Sequence, residues 1–205
     1  MTEGPAPEVC CDRSTRTFID ESFHSGETGP GTYLFAAVSL NVSEQESVRQ
    51  RLRAALPGKL SRFHWRVDSS ETRAVATAVL AGLPIKGIVI VQLLVPARQQ
   101  ERFRQHGLWN LVVELKERCC HDLVFEARES AQNKRDQDTL SSIVRSGVAG
   151  DRFTYTFGRP LDEPLLWLPD TLVGVYASNH HHGDAQYWNT LEQHPEVVEI
   201  PPPKR

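Results

Sequence analysis

The chain has 205 residues, 40% hydrophobic and 24% charged, which suits one globular domain and excludes wholesale disorder. A formal net charge of −3 excludes a protein that coats nucleic acid by bulk charge but leaves room for a local basic groove. The longest apolar stretch, Ile88 to Val95, is broken by Gln92 and falls well short of the roughly 18 residues of a membrane span.

The N-terminal residues lack a basic start followed by an apolar segment, so a cytoplasmic protein with no membrane association is expected. The cysteines form two adjacent pairs, Cys10-Cys11 and Cys119-Cys120, without the Cys-x2-Cys spacing of a zinc site. Reduced thiols are the expectation.

In chain order, residues 1–13 read as a flexible leader. Residues 15–21 (TRTFIDE) read as a short strand with Phe18 and Asp20 on one face and Ile19 on the other. A turn-rich stretch, 25–31, leads to a second apolar strand, 32–41. Ser43 and Glu46 have capping-box spacing and open a helix that ends at Pro57-Gly58. Residues 60–66 read as a third strand. Asp68 and Glu71 repeat the capping-box spacing ahead of a helix with Val75, Ala76, Val79, Leu80 and Leu83 on one stripe.

Residues 85–95 are β-branched and nearly continuously apolar, as in a strand buried on both faces. A long helix is predicted over 98–119, a strand over 122–127, and a helix over 131–147 with Leu140, Ile143 and Val144 inward. A strand follows over 153–157. Pro169 suits the first position of a final helix carrying Leu172, Val173 and Tyr176. The tail ending IPPPKR is expected to fray or drape over the surface. The organisation read from this is a leader over 1–13, one domain over 14–192 and a Pro-rich tail over 193–205. The fold class is α/β: a mixed β-sheet flanked by α-helices, with an extra helix inserted after the second strand.

Three acids sit where acids are costly. Asp20 ends an apolar strand and is followed by Glu21; Glu126 ends Leu123-Val124-Phe125; Asp170 opens the last helix among apolar residues. If the strands over 15–21 and 122–127 are neighbours, their ends bring Asp20 and Glu126 together, and a helix packed over them adds Asp170. Three carboxylates about 5 Å apart repel by roughly 1 kcal/mol per pair even in water. Mg²⁺ or Mn²⁺ relieves such repulsion and supports phosphodiester hydrolysis. Each acid also has a structural reading: Asp170 as a partner of the helix dipole, Asp20 and Glu21 as turn caps, Glu126 as an ion pair with Arg128.

The segments Phe18-Ile-Asp-Glu-Ser22, Tyr33-Leu-Phe-Ala-Ala-Val38, the surroundings of His64, and Leu165-Leu-Trp-Leu-Pro-Asp170-Thr-Leu-Val-Gly174 resemble the bacterial domain-of-unknown-function family numbered 3800. The resemblance covers about residues 15–180. It implies a ribonuclease-H-like fold and a metal-dependent nuclease, with Asp20, Glu126 and Asp170 as metal ligands and Glu21 and His64 lining the site. The alternative is a weakly active or inactive nucleic-acid-binding or protein-interaction module on the same fold.

Residues 49–66 carry six basic residues and no acid, with Phe63, His64 and Trp65 interleaved, and form the best nucleic-acid footprint. Arg62 and Arg66 are its substrate-binding candidates; Lys134 and Arg135, after the Glu126 strand, are a second pair. His180-His181-His182 is a weaker candidate for zinc or nickel. Long apolar strands leave an edge on which a second copy could pair.

Overall fold

The computed structural model describes residues 14–26, 29–56, 62–84, 86–191 and 193–204. The predicted leader lies outside them, as does Lys59 of the basic stretch. Eleven longer elements are arranged as β1 (Thr15–His24), β2 (Gly31–Asn41), α1 (Gln45–Ala55), α2 (Ser70–Ala81), β3 (Lys86–Val95), α3 (Gln100–Glu117), β4 (Asp122–Glu126), α4 (Ser130–Arg145), β5 (Thr154–Gly158), α5 (Trp167–His182) and β6 (Glu196–Glu199).

The six strands form one mixed sheet in the order β5-β4-β1-β2-β3-β6. β1–β2 and β2–β3 are antiparallel, whereas β1–β4, β4–β5 and β3–β6 are parallel. β2 is buried from Gly31 to Leu40, as a strand in the middle of a two-faced sheet must be. One face packs α1, α2 and α5 over Phe18, Leu34, Val38, Val89 and Val91. The other packs α3 and α4 over Ile19, Phe35, Ile90 and Leu123. The strand-period reading of Phe18 against Ile19 therefore holds.

Several local expectations are corrected. Residues 62–68 form a loop and turn, not a strand. Phe63 and Trp65 are nevertheless buried while Arg62 is exposed and His64 half-exposed, because the turn alternates its side chains much as a strand would. α1 starts after Glu44 with no side-chain cap, so the Ser43–Glu46 box is not used. α2 is capped by Ser69, whose hydroxyl accepts from the Thr72 amide. Asp68 instead accepts from the His64 amide at 2.7 Å.

Pro169 is the third helical residue of α5 rather than the first, still inside the turn whose amides have no intrahelical acceptor. Val144 is exposed. Cys119 is disulfide-bonded, against the expectation of reduced thiols, and Cys120 is free. The tail does not fray: Val197 and Val198 pair with Val89 and Ile90, and Ile200 is buried. The proline run begins only after this strand.

One glycine is required by close approach. A methyl at Gly174 of α5 would overlap the Trp65 indole ring. The missing side chain lets the 62–68 turn lie flush on α5, with Trp65 edge-on to Tyr187 and capped by the Arg73 guanidinium. We expect Gly174→Ala to destabilise the protein by about 1–3 kcal/mol in denaturant unfolding, the usual range for overpacking. An unchanged midpoint would contradict this packing.

Candidate active site

The parallel register of β1 and β4 pairs Ile19 with Phe125, so one further step sets Asp20 beside Glu126. Both side chains point to the face that α5 covers, and Asp170 in the first turn of α5 comes down on them. All three line a cleft of about 710 Å³ at this end of the sheet. Asp170 is 7% exposed. Its Oδ2 accepts from the Trp65 amide at 2.9 Å and lies 3.3 Å from His64 Nδ1.

The electrostatics follow from that crowding. Burial, then the charges of Asp170 and Glu126, hold the Asp20 carboxyl well above its ordinary range. Burial and Asp170 raise Glu126 as well, while a hydrogen bond with Asp20 and the charges of His64 and Arg62 pull it part of the way back. The hydrogen bond to Asp170 is the largest cause of the raised His64 pKa. An all-carboxylate donor set of this kind suits a hard divalent cation. Among the described residues, no three His, Cys, Asp or Glu side chains form a ready coordination shell. The Asp20–Glu126 hydrogen bond would have to open for all three carboxylates to reach one ion.

Glu21 stands apart from the three. Successive strand residues face opposite ways, so Glu21 points to the α3 side. There its Oε1 accepts from Arg104 Nε at 2.8 Å and lies 3.2 Å from Arg128 Nε. Arg104 forms a two-pronged pair with Asp136, Nη2 to Oδ2 being 2.8 Å, and burial together with Glu21 raises the Tyr33 hydroxyl pKa. Glu21 is therefore held between Arg104 and Arg128, and the structural reading of Glu126 as the partner of Arg128 gives way to a Glu21–Arg128 pair.

The basic candidates are dispersed. Arg66 lines the cleft, its Nη2 donating to Ser22 Oγ and to the Phe23 carbonyl, each at 2.6 Å. Arg62 is exposed outside the cleft lining, though its charge reaches Glu126. Lys134 and Arg135 are exposed on α4; Arg135 lines a separate groove with Arg102 and Lys204. Arg49 pairs with Glu163, and Arg51 reaches the Gly82 carbonyl. Phe63 and Trp65 belong to the core and cannot stack bases. Glu71 is exposed and does not line the cleft.

Sequence reasoning missed Arg104, Asp136, Arg128 and His24. Arg104 and Asp136 had a signal: each lies four residues before an inward leucine, Leu108 and Leu140, on the buried stripe of its helix. His24 ends β1, stacks on His181 of α5 at 4.9 Å, and has its pKa lowered to about 4 by burial, Arg66, His181 and His182.

Comparison with solved structures follows this geometry. A chain in the structure of the PCNA–RNase HII complex from Archaeoglobus fulgidus superposes with a TM-score of 0.51 at 14% identity, covering 88% of this chain and 81% of that one. A ribonuclease HIII variant, Bst-RNase HIII Q54A, gives 0.37 at 15% identity, covering 82% of this chain and 55% of that one. The fold is ribonuclease-H-like. The fold class expected from sequence is thus observed, with α1 and α2 joined between β2 and β3 without the strand expected between them. No family profile matches the chain, and no curated protein sequence matches it. No described helix is long and apolar enough to cross a membrane.

Asp20 carries a sign-definite consequence. Its folded pKa exceeds its unfolded one, so the folded state holds the extra proton and stability falls as pH rises from about 4 through the folded pKa. Asp20→Asn is expected to raise the melting midpoint at pH 7–8, by about 2–4 °C per kcal/mol released, with the gain vanishing toward pH 4. A variant that melts lower than wild type at pH 8 would contradict the crowding of these carboxyls.

Proposed function

We propose that the protein is a Mg²⁺- or Mn²⁺-dependent nuclease that hydrolyses phosphodiester bonds, and a relative of the family numbered 3800 that its motifs resemble. The observation that carries this reading is the convergence of Asp20, Glu126 and Asp170 in one cleft, where burial and then their like charges raise the pKa of Asp20 and of Glu126. Asp20, Glu126 and Asp170 would hold the ion, which supplies Lewis-acid stabilisation of charge on the phosphoryl oxygens. Asp170 is pinned by the Trp65 amide, so its carboxylate is oriented before any ligand arrives. His64, with its raised pKa, is suited to hand a proton to a departing oxygen near neutral pH. Arg66, fixed to the end of β1, presents a positive charge on the cleft wall for a backbone phosphate.

One observation favours a second reading, binding without turnover: the described residues offer no ready coordination shell. Incubating single-stranded DNA, single-stranded RNA, both duplexes and the hybrid with the protein in Mg²⁺ or Mn²⁺ decides between them. The nuclease reading expects divalent-dependent cleavage of at least one substrate, lost by about 100-fold or more in Asp20→Asn and in Asp170→Asn. Binding with no cleavage of any substrate would favour the second reading, and cleavage unchanged in both variants would overturn the proposed site.

A further inference from the structure

We propose that Arg128 is a phosphate-binding position for the nucleic-acid backbone, set by a buried chain of charges running Asp136–Arg104–Glu21–Arg128. This rests on the nuclease reading and deepens it, by assigning a substrate contact outside the carboxylate cluster. The chain begins deep in the protein, where Arg104 is 4% exposed and Asp136 2% exposed. Their two-pronged pairing spends both terminal nitrogens of Arg104, and its remaining Nε fixes Glu21. Glu21 Oε1 in turn meets Arg128 Nε at 3.2 Å.

Each link removes freedom from the next, so a flexible arginine on the connection from β4 to α4 arrives at the cleft already oriented. Only its Nε is engaged by an acid; Nη1 is enclosed with no acceptor at all. An arriving oxyanion would supply the acceptor that this enclosed N–H lacks. Arg128 lines the same cleft as Asp20, Glu126 and Asp170, and its side chain is 24% exposed, enough for a ligand to reach it.

The ligand chemistry follows from the fork. A planar guanidinium held at one nitrogen offers its remaining donors to two oxygens of one phosphate, which a lysine cannot do. The position also explains Glu21, an acid placed beside the carboxylate cluster by sequence but withdrawn from it by strand alternation. Glu21 acts through Arg128 and is a positioning residue.

The test is fluorescence anisotropy of labelled single-stranded and duplex oligonucleotides with the full-length protein, in chelator so that no divalent-dependent cleavage proceeds, over a salt series. Arg128→Ala and Arg128→Lys are compared with wild type, each checked for a native melt by circular dichroism. We expect Arg128→Ala to weaken binding about tenfold and to flatten the slope of log affinity against log salt by about 0.7 on single strands or 0.9 on duplex, one phosphate contact fewer. Arg128→Lys keeps the charge and loses the fork, so it should keep the wild-type slope with an intermediate affinity. A purely structural ion pair would move the melt and leave the slope alone. Unchanged affinity and slope in Arg128→Ala, with wild type binding, would overturn the inference and leave the nuclease reading standing. A wild type that binds no oligonucleotide at any salt would also overturn the inference, while the nuclease reading stands or falls on divalent-dependent cleavage. Inorganic phosphate as competitor separates the sources: displacement of oligonucleotide at equal concentration would point to a free-phosphate site and against a backbone contact.

Discussion

Mutual repulsion among three carboxyls at one end of a sheet is the constraint around which this protein is arranged. Asp20 and Glu126 are brought level by the register of two parallel strands, and Asp170 is lowered onto them by the helix that covers that face. Nothing in the apolar core gains from this. Burial and like charge together make the arrangement unfavourable unless a proton or a cation resides in it. The surroundings act to hold it anyway: the glycine in α5 admits the Trp65 ring, the ring fixes the turn, and the turn delivers a backbone amide and His64 to Asp170.

The second charged assembly has the opposite logic. On the α3 side of the same strand, Glu21, Arg104, Asp136 and Arg128 alternate in sign, so burial there is compensated link by link. Adjacent residues of one strand, Asp20 and Glu21, therefore live in contrasting fields: one buried among like charges that raise its pKa, the other held between two arginines. The net charge of −3 conceals this division. Much of the basic stretch over 49–66 is spent on structure, since Arg49 holds Glu163 and Arg51 reaches the end of α2. The arginines that line the cleft are Arg66, Arg73, Arg104 and Arg128, of which only Arg66 belongs to that stretch.

What was legible in the sequence was whatever obeys a period. The alternation of Phe18, Ile19 and Asp20 placed the first acid on the correct face, and the apolar runs over 86–95 and 122–126 gave strands in the expected places. The resemblance carried by the Asp-Glu-Ser and Leu-Pro-Asp segments pointed to the fold that the strand order then displays. Features set by long-range contact were not legible. Residues 62–66 alternate like a strand, yet find no neighbouring strand and bend over α5. The tail reads as frayed because its prolines dominate its composition, while four residues before them complete the sheet on β3. Glu21 lines the cleft as the resemblance implied, but strand alternation turns its carboxylate to Arg104 and Arg128, away from Asp20. Arg104 and Asp136 lie in register with the leucines of their helices, a signal that was present and went unused.

The proposed function requires the cluster of Asp20, Glu126 and Asp170 to bind a divalent cation. Titrating Mn²⁺ into the protein and counting bound ions by electron paramagnetic resonance tests it without relying on any substrate. Saturable binding in wild type, abolished or strongly weakened in Asp20→Asn and in Asp170→Asn with both variants folded, is the predicted result. Equal Mn²⁺ binding in wild type and both variants, or no binding by wild type at millimolar Mn²⁺, would contradict it.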